Sequence, residues 1–256
     1  MIEVQHISKS FHDGIKVLDD VSTYFETGKT NLIIGQSGSG KTVLMKSVVG
    51  IHTVDAGSIL YDGRDITKMK DNEKKHMHRE IGMLFQGSAL FDSLTVLENV
   101  MFPLEMFSKA PKDEIQQRAR ECLERVDLTR AIDLYPSEIS GGMQKRAAIA
   151  RAIVLNPKYL FCDEPNSGLD PKTSLMIDRL IQEITHEYNI TTVINTHDMN
   201  SVMEIGENIV FIYKGVKEWQ GNKDEIYETG CQPLEDLVFA SNLYKKIKEA
   251  HFALRK

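Results

Sequence analysis

Cysteine is scarce in this sequence and long apolar runs are missing, and both absences narrow the class of protein. Only 3 of the 256 residues are cysteine. Cys122, Cys162 and Cys231 lie far apart, with no Cys-x-x-Cys pair, which argues against a disulfide framework or a structural zinc site and suits a reducing compartment. The apolar runs are short, and residues 209–213 are typical of them. A membrane-spanning helix, in contrast, needs about 18–20 consecutive apolar residues. We therefore expect that the chain does not cross a bilayer by itself.

An excess of basic residues is also missing. There are 31 Lys+Arg against 37 Asp+Glu, for a formal net charge of −6, and this balance argues against nucleic-acid binding, which usually needs a basic face. The first residues lack the basic start and apolar stretch of a secretion signal. With 41% hydrophobic and 27% charged residues, the composition is that of an ordinary globular protein.

Short apolar runs separated by amphipathic segments are typical of a parallel sheet with crossover helices. Buried strands are predicted at residues 32–34, 159–162, 190–194 and 209–213. Helices are predicted at residues 41–49, 112–126 and 142–155, and beginning at the cap residue Asp170. Near-alternating patterns at residues 2–7, 16–25 and 58–61 predict a small antiparallel sheet near the N-terminus.

A glycine-rich segment after the first buried run matches the pattern G-x-x-x-x-G-K-[ST]. Glycines let the backbone approach phosphate closely, and the helix that follows offers its positive N-terminal end to an anion. In this pattern the lysine reaches the β- and γ-phosphates and the hydroxyl is a ligand of Mg²⁺. The predicted nucleotide site comprises Gly35, Gln36, Ser37, Gly38, Ser39, Gly40, Lys41 and Thr42.

Two carboxylates, Asp163 and Glu164, directly follow the buried run at residues 159–162. A strand end beside a phosphate-binding loop is where an aspartate holds Mg²⁺, directly or through water. The next carboxylate can polarise the attacking water as a general base. A strand that ends in solvated acids is common in isolation, so the prediction depends on the phosphate-binding loop.

A second anion site is predicted where Ser140, Gly141 and Gly142 precede the helix at 142–155. A serine hydroxyl and glycine amides at a helix N-terminus suit a phosphate. Ser-Gly-Gly alone is weak support, since many turns contain it. In this chain it is followed by a basic, alanine-rich helix and then by the acidic pair.

With these motifs in this order, the chain resembles the ATP-binding subunit of ABC transporters over about residues 2–221. The resemblance implies that Phe11 stacks on adenine and that residues 35–42 are the Walker A loop. It implies that residues 140–143 are the signature motif, which binds the nucleotide held by a second subunit, and that Asp170 closes the D-loop at residues 167–170.

The same resemblance implies roles in hydrolysis. Asp163 is expected to be the magnesium-binding aspartate and Glu164 the catalytic glutamate. Gln86 matches the Q-loop glutamine, which senses Mg²⁺ and the membrane partner, and His197 matches the switch histidine, which contacts the γ-phosphate. The implied metal ligands are therefore Thr42, Gln86 and Asp163, and the implied cofactors are ATP and Mg²⁺.

The fold class implied is α/β. It has a P-loop (RecA-like), mainly parallel sheet core with an N-terminal antiparallel β subdomain and an inserted α-helical subdomain. The expected division is a nucleotide-binding core at 1–86 and 156–223, a helical signature subdomain at 87–155 and a helical tail at 224–256. Apolar spacing in the tail, up to Leu254, permits two short amphipathic helices. The tail could pack on its own ATPase lobe, contact a second ATPase or a small regulator, or touch anionic lipid.

The family resemblance also implies partners. Two subunits are expected to form a head-to-tail homodimer that closes on ATP and drives integral membrane permease subunits. The chain is then expected at the cytoplasmic face of the inner membrane, held there by the permease. No nucleic-acid partner is expected.

The signature departs from the common Leu-Ser-Gly-Gly-Gln, because Ile139 replaces leucine and Met143 replaces glutamine. Ser-Gly-Gly-Met looks like two subfamilies, the Mla/MCE-type phospholipid-trafficking ATPases of bacterial envelopes and the glycine-betaine importer ATPases. Residues 84–91, 95–104 and 166–170 are closer to the first. We therefore expect phospholipid trafficking, with an MCE-domain protein and a small regulatory subunit as further partners. The alternative is an importer of an osmolyte or another small solute.

Three rival classes fit less well. ABC ATPases of DNA repair or translation usually carry a long coiled coil or two cassettes in one chain. A P-loop kinase or GTPase would lack the signature, and the Asn-Lys-x-Asp base reader of GTPases is not found. A pure binding module would have no need of Glu164 beside Asp163.

Overall fold

The computed structural model describes residues 1–11 and 14–253, except for the side chains of 251–253. Leu254, a predicted member of the tail pattern, lies outside the described residues. The chain divides into two compact units. Unit 1 comprises Met1–Glu26, Asn31–Thr67 and the chain from Asn195 onward, and unit 2 comprises Thr27–Thr30 and Lys68–Ile194. The division into core, helical subdomain and tail at residues 86/87, 155/156 and 223/224 remains a prediction.

The strands and helices follow one another in an α/β order. The strands are β1 (Ile2–Phe11), β2 (Ile15–Phe25), β3 (Thr30–Ile34), β4 (Ala56–Tyr61), β5 (Arg64–Asp65), β6 (Ile81–Leu84), β7 (Tyr159–Asp163), β8 (Thr191–Asn195), β9 (Asn208–Tyr213) and β10 (Val216–Gly221). The helices are α1 (Lys41–Val49), α2 (Asp71–His78), α3 (Val96–Phe107), α4 (Lys112–Arg125), α5 (Gly141–Ile153), α6 (Pro171–Glu187), α7 (Met199–Ile205), α8 (Gln232–Val238) and α9 (Asn242–Ala253).

Unit 1 contains the antiparallel sheet that the sequence predicts. Its strand order is β2-β1-β4-β5, and β1 pairs antiparallel with both β2 and β4. In the same unit β3 runs parallel to β9, with Ile33 opposite Val210, and β10 pairs antiparallel with β9. The residues of β3 are all buried, as expected for a strand covered on both faces. This strand leads into the glycine-rich loop and α1.

Unit 2 contains β6 and β7 as parallel neighbours, with Leu84 opposite Cys162. The carboxyl ends of these strands therefore reach the same edge of the sheet. The helices α3, α4 and α5 pack against one another, and α5 also packs against β6. Alanines 147, 148 and 150 on α5 are buried beside Ile149, and the small alanine side chains let α5 lie close to its neighbours.

The tail forms the two short amphipathic helices that the apolar spacing predicts, α8 and α9. Leu234 and Val238 of α8 are buried. The Tyr244 hydroxyl on α9 donates a 2.9 Å hydrogen bond to the Asn200 side chain on α7, and all of these residues belong to unit 1. The described part of the tail therefore packs on its own unit.

A buried asparagine organises the connection before α3 in unit 2. The side chain of Asn99 is fully buried, and its amide nitrogen donates to the carbonyl oxygens of Phe91, Leu94 and Thr95 at 3.0–3.1 Å. Its carbonyl oxygen accepts from the Phe91 amide at 2.8 Å. One side chain thus links main-chain groups of Phe91, Leu94 and Thr95, at the connection and at the start of α3.

Replacing this asparagine tests its role in stability. We expect Asn99→Ala to lower the free energy of unfolding by about 2–4 kcal/mol, because the hydrogen bonds from this fully buried side chain to the main chain are lost. The measurement is chemical denaturation followed by circular dichroism. The control is Gln117→Ala on α4, since Gln117 is exposed and its side chain donates to the exposed Glu121 carboxylate. An unchanged midpoint for Asn99→Ala would contradict this account.

Candidate functional site

The glycine-rich loop of unit 1 begins at Gly35, after the end of β3, and runs into α1. A Cβ atom at Gly35 would stand 2.2 Å from the Ile212 carbonyl oxygen, and one at Gly40 would stand 2.9 Å from the Val17 carbonyl oxygen. Gly40 also has φ 107° and is the N-cap of α1. Both positions therefore need glycine, as the sequence motif predicts.

Two polar groups within this loop suit a polyphosphate. Lys41 is only 7% exposed, and its ammonium donates to the carbonyl oxygens of Gly35 at 2.9 Å and Gln36 at 3.1 Å. The Ser39 hydroxyl is buried and has no hydrogen-bond partner within the described residues. A buried polar group without a partner is costly unless a ligand satisfies it. With the N-terminus of α1 beside them, these groups fit the phosphates of ATP.

The predicted metal ligand Thr42 contacts the strand end that carries the predicted switch histidine. The Asn195 side-chain amide donates to the Thr42 hydroxyl at 3.2 Å, and the Thr196 amide donates to the Ile33 carbonyl at 3.2 Å. His197 follows and is exposed. Asn195 was not predicted as a site residue, although its position at the end of a buried apolar run was a usable signal.

Phe11, the predicted adenine-stacking residue, lies at the end of β1. Its ring is 39% exposed and meets the His52 ring edge to face, with centroids 5.3 Å apart. The Lys9 ammonium stands 5.3 Å from the Phe11 centroid. Burial lowers the pKa of His52, and the positive charges of Lys46 and Lys9 lower it further. Phe11 is therefore an aromatic surface that a base could stack on.

The predicted magnesium and catalytic residues of unit 2 meet at one edge of the sheet. Asp163 ends β7, and Gln86 follows the end of the parallel neighbour β6. The Gln86 side chain is exposed and its amide donates to the Ser167 hydroxyl at 3.2 Å. Glu164 has φ 48°, a left-handed conformation that is unusual for glutamate and is often found at functional sites.

The predicted signature and D-loop residues are also brought together in unit 2. Ser140, Gly141 and Gly142 line a cavity of about 240 Å³ with Asp170 and other residues of the loop before α6. Ser140 caps α5 by accepting from the Met143 amide. The Asp170 carboxylate caps α6, and bonds from the Thr173 hydroxyl and amide lower its pKa. A Cβ atom at Gly142 would come within 2.7 Å of the Thr173 side chain.

The predicted residues thus form two groups, one in each unit. Walker A residues and the switch segment belong to unit 1, together with Phe11. The residues of the Q-loop, the acidic pair, the signature and the D-loop belong to unit 2. Lys145, which hydrogen bonds to the main chain of Gln86, was not among the predicted residues.

The phosphate-binding loop and the acidic pair define a P-loop nucleotide-binding protein. The family model described as "ABC transporter" matches residues 18–167, which is more than half of the chain. The chain therefore belongs to the ABC transporter ATP-binding family, as the motifs predict.

Known proteins agree with this assignment. The methionine import ATP-binding protein MetN of Clostridium acetobutylicum is 38% identical over 242 residues, which are 94% of this chain and 75% of that protein. A dimeric post-hydrolysis structure of the ATP-binding cassette MJ0796 with ADP and Pi has a TM-score of 0.78 and 31% identity, covering 87% of this chain and 99% of that one. CbiO1 of Clostridium perfringens, part of the ABC transporter complex cbiONQ, has a TM-score of 0.83 and 29% identity over 97% of each chain.

The protein is thus an ATPase that uses ATP with Mg²⁺, and the α/β fold class predicted from the sequence is confirmed. The more specific prediction of a phospholipid-trafficking subtype is not confirmed, because the relatives at 38% identity are methionine import proteins. This result favours the small-solute alternative.

The buried lysine of the loop gives a first test of nucleotide binding. We expect Lys41→Ala to weaken ATP binding by about tenfold or more, because charge-assisted hydrogen bonds to phosphate are lost. Binding of a fluorescent ATP analogue measures the effect. Lys46→Ala, near the other end of α1, is the control. Equal ATP affinity of Lys41→Ala and wild type would contradict the assignment of the loop.

The glutamate in the left-handed conformation gives a test of chemistry. We expect Glu164→Gln to lower kcat about 10²–10⁴-fold while retaining ATP binding, because the amide cannot accept a proton from water. Phosphate release under steady state measures kcat. Glu183→Gln, at an exposed position of α6, is the control. Turnover of Glu164→Gln at the wild-type rate would show that another group is the base.

Proposed function

We propose that this chain is the ATP-hydrolysing subunit of an ABC importer for a small solute. It works as a homodimer at the cytoplasmic face of the inner membrane, where permease subunits hold it. The observation that carries the proposal is the 38% identity to a methionine import ATPase over 94% of the chain. Among the described residues, none of the helices combines the length and the apolar character of a membrane span.

The proposed hydrolytic cycle uses the predicted residues in distinct roles. Lys41 and the main chain of the loop bind the phosphates, and Thr42, Asp163 and Gln86 would be the ligands of Mg²⁺. When bound, Mg²⁺ neutralises charge on the β- and γ-phosphates. Glu164 accepts the proton of the attacking water.

The water oxygen bonds to the γ-phosphorus as the bond from that phosphorus to the β-phosphate oxygen breaks, which leaves ADP and inorganic phosphate. We propose that His197 contacts the γ-phosphate before this step. Release of that phosphate removes contacts that stabilise the closed dimer. The population of dimers therefore shifts toward the open state.

Dimerisation is proposed because the signature residues line a cavity with hydrogen-bond donors. Ser140, at the start of α5, is exposed, and an exposed helix N-terminus with a hydroxyl suits the γ-phosphate of ATP held by a second subunit. The cassette MJ0796 is dimeric with ADP and Pi, which supports the same arrangement for this chain.

A permease contact is proposed at the apolar surface after the Q-loop. Phe91, Met106 and Phe107, which follow Gln86, and Phe85, which precedes it, are 43–59% exposed, and burying such side chains against a partner is favourable. The Phe91 and Phe102 rings pack with centroids 4.7 Å apart. The Arg151 guanidinium stabilises the segment just before Phe91, because it donates to the carbonyl oxygens of Ser88 and Ala89 at 2.8 Å.

Phospholipid trafficking is the second candidate function. Met143 in the signature and residues 84–91 and 166–170 resemble the Mla/MCE-type ATPases. Under this candidate the further partners are an MCE-domain protein and a small regulatory subunit.

Purification of the tagged chain from membranes, followed by mass spectrometry, separates the two candidates. The small-solute proposal predicts a permease whose substrate-binding partner binds an amino acid or osmolyte. An MCE-domain protein in the same complex would overturn that proposal in favour of lipid trafficking. Absence of any permease from the complex would contradict both.

A charge placed on the apolar surface tests the permease contact. We expect Met106→Glu to reduce permease recovery by about tenfold or more, since a desolvated charge at an interface is costly. ATP binding should be retained. Tyr188→Glu is the control, because Tyr188 is also exposed, at the C-terminus of α6. Full recovery of the permease with Met106→Glu would place the contact elsewhere.

A further inference from the structure

A buried lysine on α5 connects the signature helix to the Q-loop. Lys145 is only 4% exposed, and its ammonium donates a hydrogen bond to the main-chain carbonyl oxygen of Gln86. α5 begins at the signature residue Gly141, after its cap Ser140. The helix that presents the signature is therefore bonded directly to the loop that presents Gln86.

The contact continues from Gln86 to the acidic turn. The Gln86 side-chain amide donates to the Ser167 hydroxyl at 3.2 Å, and the Ser167 main-chain amide donates to the Glu164 carbonyl oxygen at 3.1 Å. A chain of hydrogen bonds thus runs from Lys145 through Gln86 and Ser167 to Glu164. All four residues belong to unit 2.

Burying an ammonium at this position is costly, so a stability role alone does not explain it. Burial lowers the pKa of Lys145, and Cys162, Asp163 and Glu164 oppose that shift. An apolar side chain at this position would pack without the desolvation cost. The lysine fixes the main-chain position of Gln86, whose side chain is exposed. It also places a positive charge near the carboxylates of Asp163 and Glu164.

We propose that Lys145 is a positioning residue for ATP hydrolysis, which fixes the Q-loop main chain and thereby orients the Gln86 side chain, whose carbonyl oxygen would be the ligand of Mg²⁺. The role rests on the metal-binding role proposed for Gln86. Lys145 acts through its hydrogen bond to the Gln86 main chain. A movement of α5 would shift the hydrogen bond between Lys145 and the Gln86 carbonyl oxygen. The position of the signature helix is thereby coupled to the position of Gln86.

The test compares variants of the full chain, purified with its permease where one is recovered, by two readouts. One is the Mg²⁺ dependence of ATP hydrolysis. The other is the Mg²⁺ dependence of fluorescent ATP-analogue binding without turnover, which should shift in the same direction. We expect Lys145→Met to raise the Mg²⁺ concentration for half-maximal activity about tenfold or more, as loss of a supporting contact does at metal sites. kcat should fall about tenfold or more, because misplacement of a catalytic group is costly. The Michaelis constant for ATP measured at saturating Mg²⁺ should stay nearly constant.

Two further variants separate positioning from general stability. Lys145→Arg should keep most of the wild-type Mg²⁺ dependence, because a guanidinium also donates to a carbonyl oxygen. Lys145→Gln is a milder change than Lys145→Met. It should also raise the Mg²⁺ concentration for half-maximal activity, but by a smaller factor. Lys158→Met is the matched control, since the Lys158 side chain is 61% exposed.

Unchanged Mg²⁺ dependence in both Lys145→Met and Lys145→Gln would overturn the proposal, whether or not kcat falls. Gln86→Ala is measured in parallel. If Gln86→Ala shifts the Mg²⁺ dependence and the Lys145 variants do not, only the positioning role of Lys145 fails. If Gln86→Ala has no effect, the proposed role of Gln86 fails and this proposal fails with it.

Discussion

The close approach of main chains around Gly35 and Gly40 fixes the shape of the phosphate-binding loop. At both positions a Cβ atom would meet a carbonyl oxygen of a neighbouring segment, from Ile212 or Val17. The loop can therefore keep this path only with glycine. That path places Lys41 inside the loop and starts α1 where a phosphate can meet its N-terminus. The binding of ATP, and every later step, depends on this packing.

The elements with a clear apolar pattern could be predicted from the sequence, and the others could not. Helix α1 has the predicted bounds, because a glycine-rich loop precedes it and Gly50 ends it. Helix α3 was missed, since Pro103 lies in its interior and proline usually breaks a helix. Helix α2 is highly charged and buries Met77, so its apolar pattern is too weak for periodicity to reveal.

The candidate site likewise contains residues that could be predicted from motifs and supporting residues that could not. Short motifs predict roles for Lys41, Asp163 and Glu164, because the chemistry of phosphate binding and hydrolysis requires particular residues at fixed spacing. Asn195 and Lys145 were missed, because they act through contacts between residues far apart in the chain. A hydrogen bond from Asn195 to Thr42 or from Lys145 to Gln86 depends on how strands and helices pack. Lys145 did leave one signal, a lysine on the buried face of an alanine-rich helix.

The central claim is that ATP binding closes a homodimer of this chain. The most direct measurement is light scattering of the Glu164→Gln chain, which is expected to hydrolyse bound ATP only slowly. The account predicts a mass of 29.0 kDa without nucleotide and twice that mass with saturating ATP. A chain that binds ATP and keeps the single-subunit mass would contradict the account.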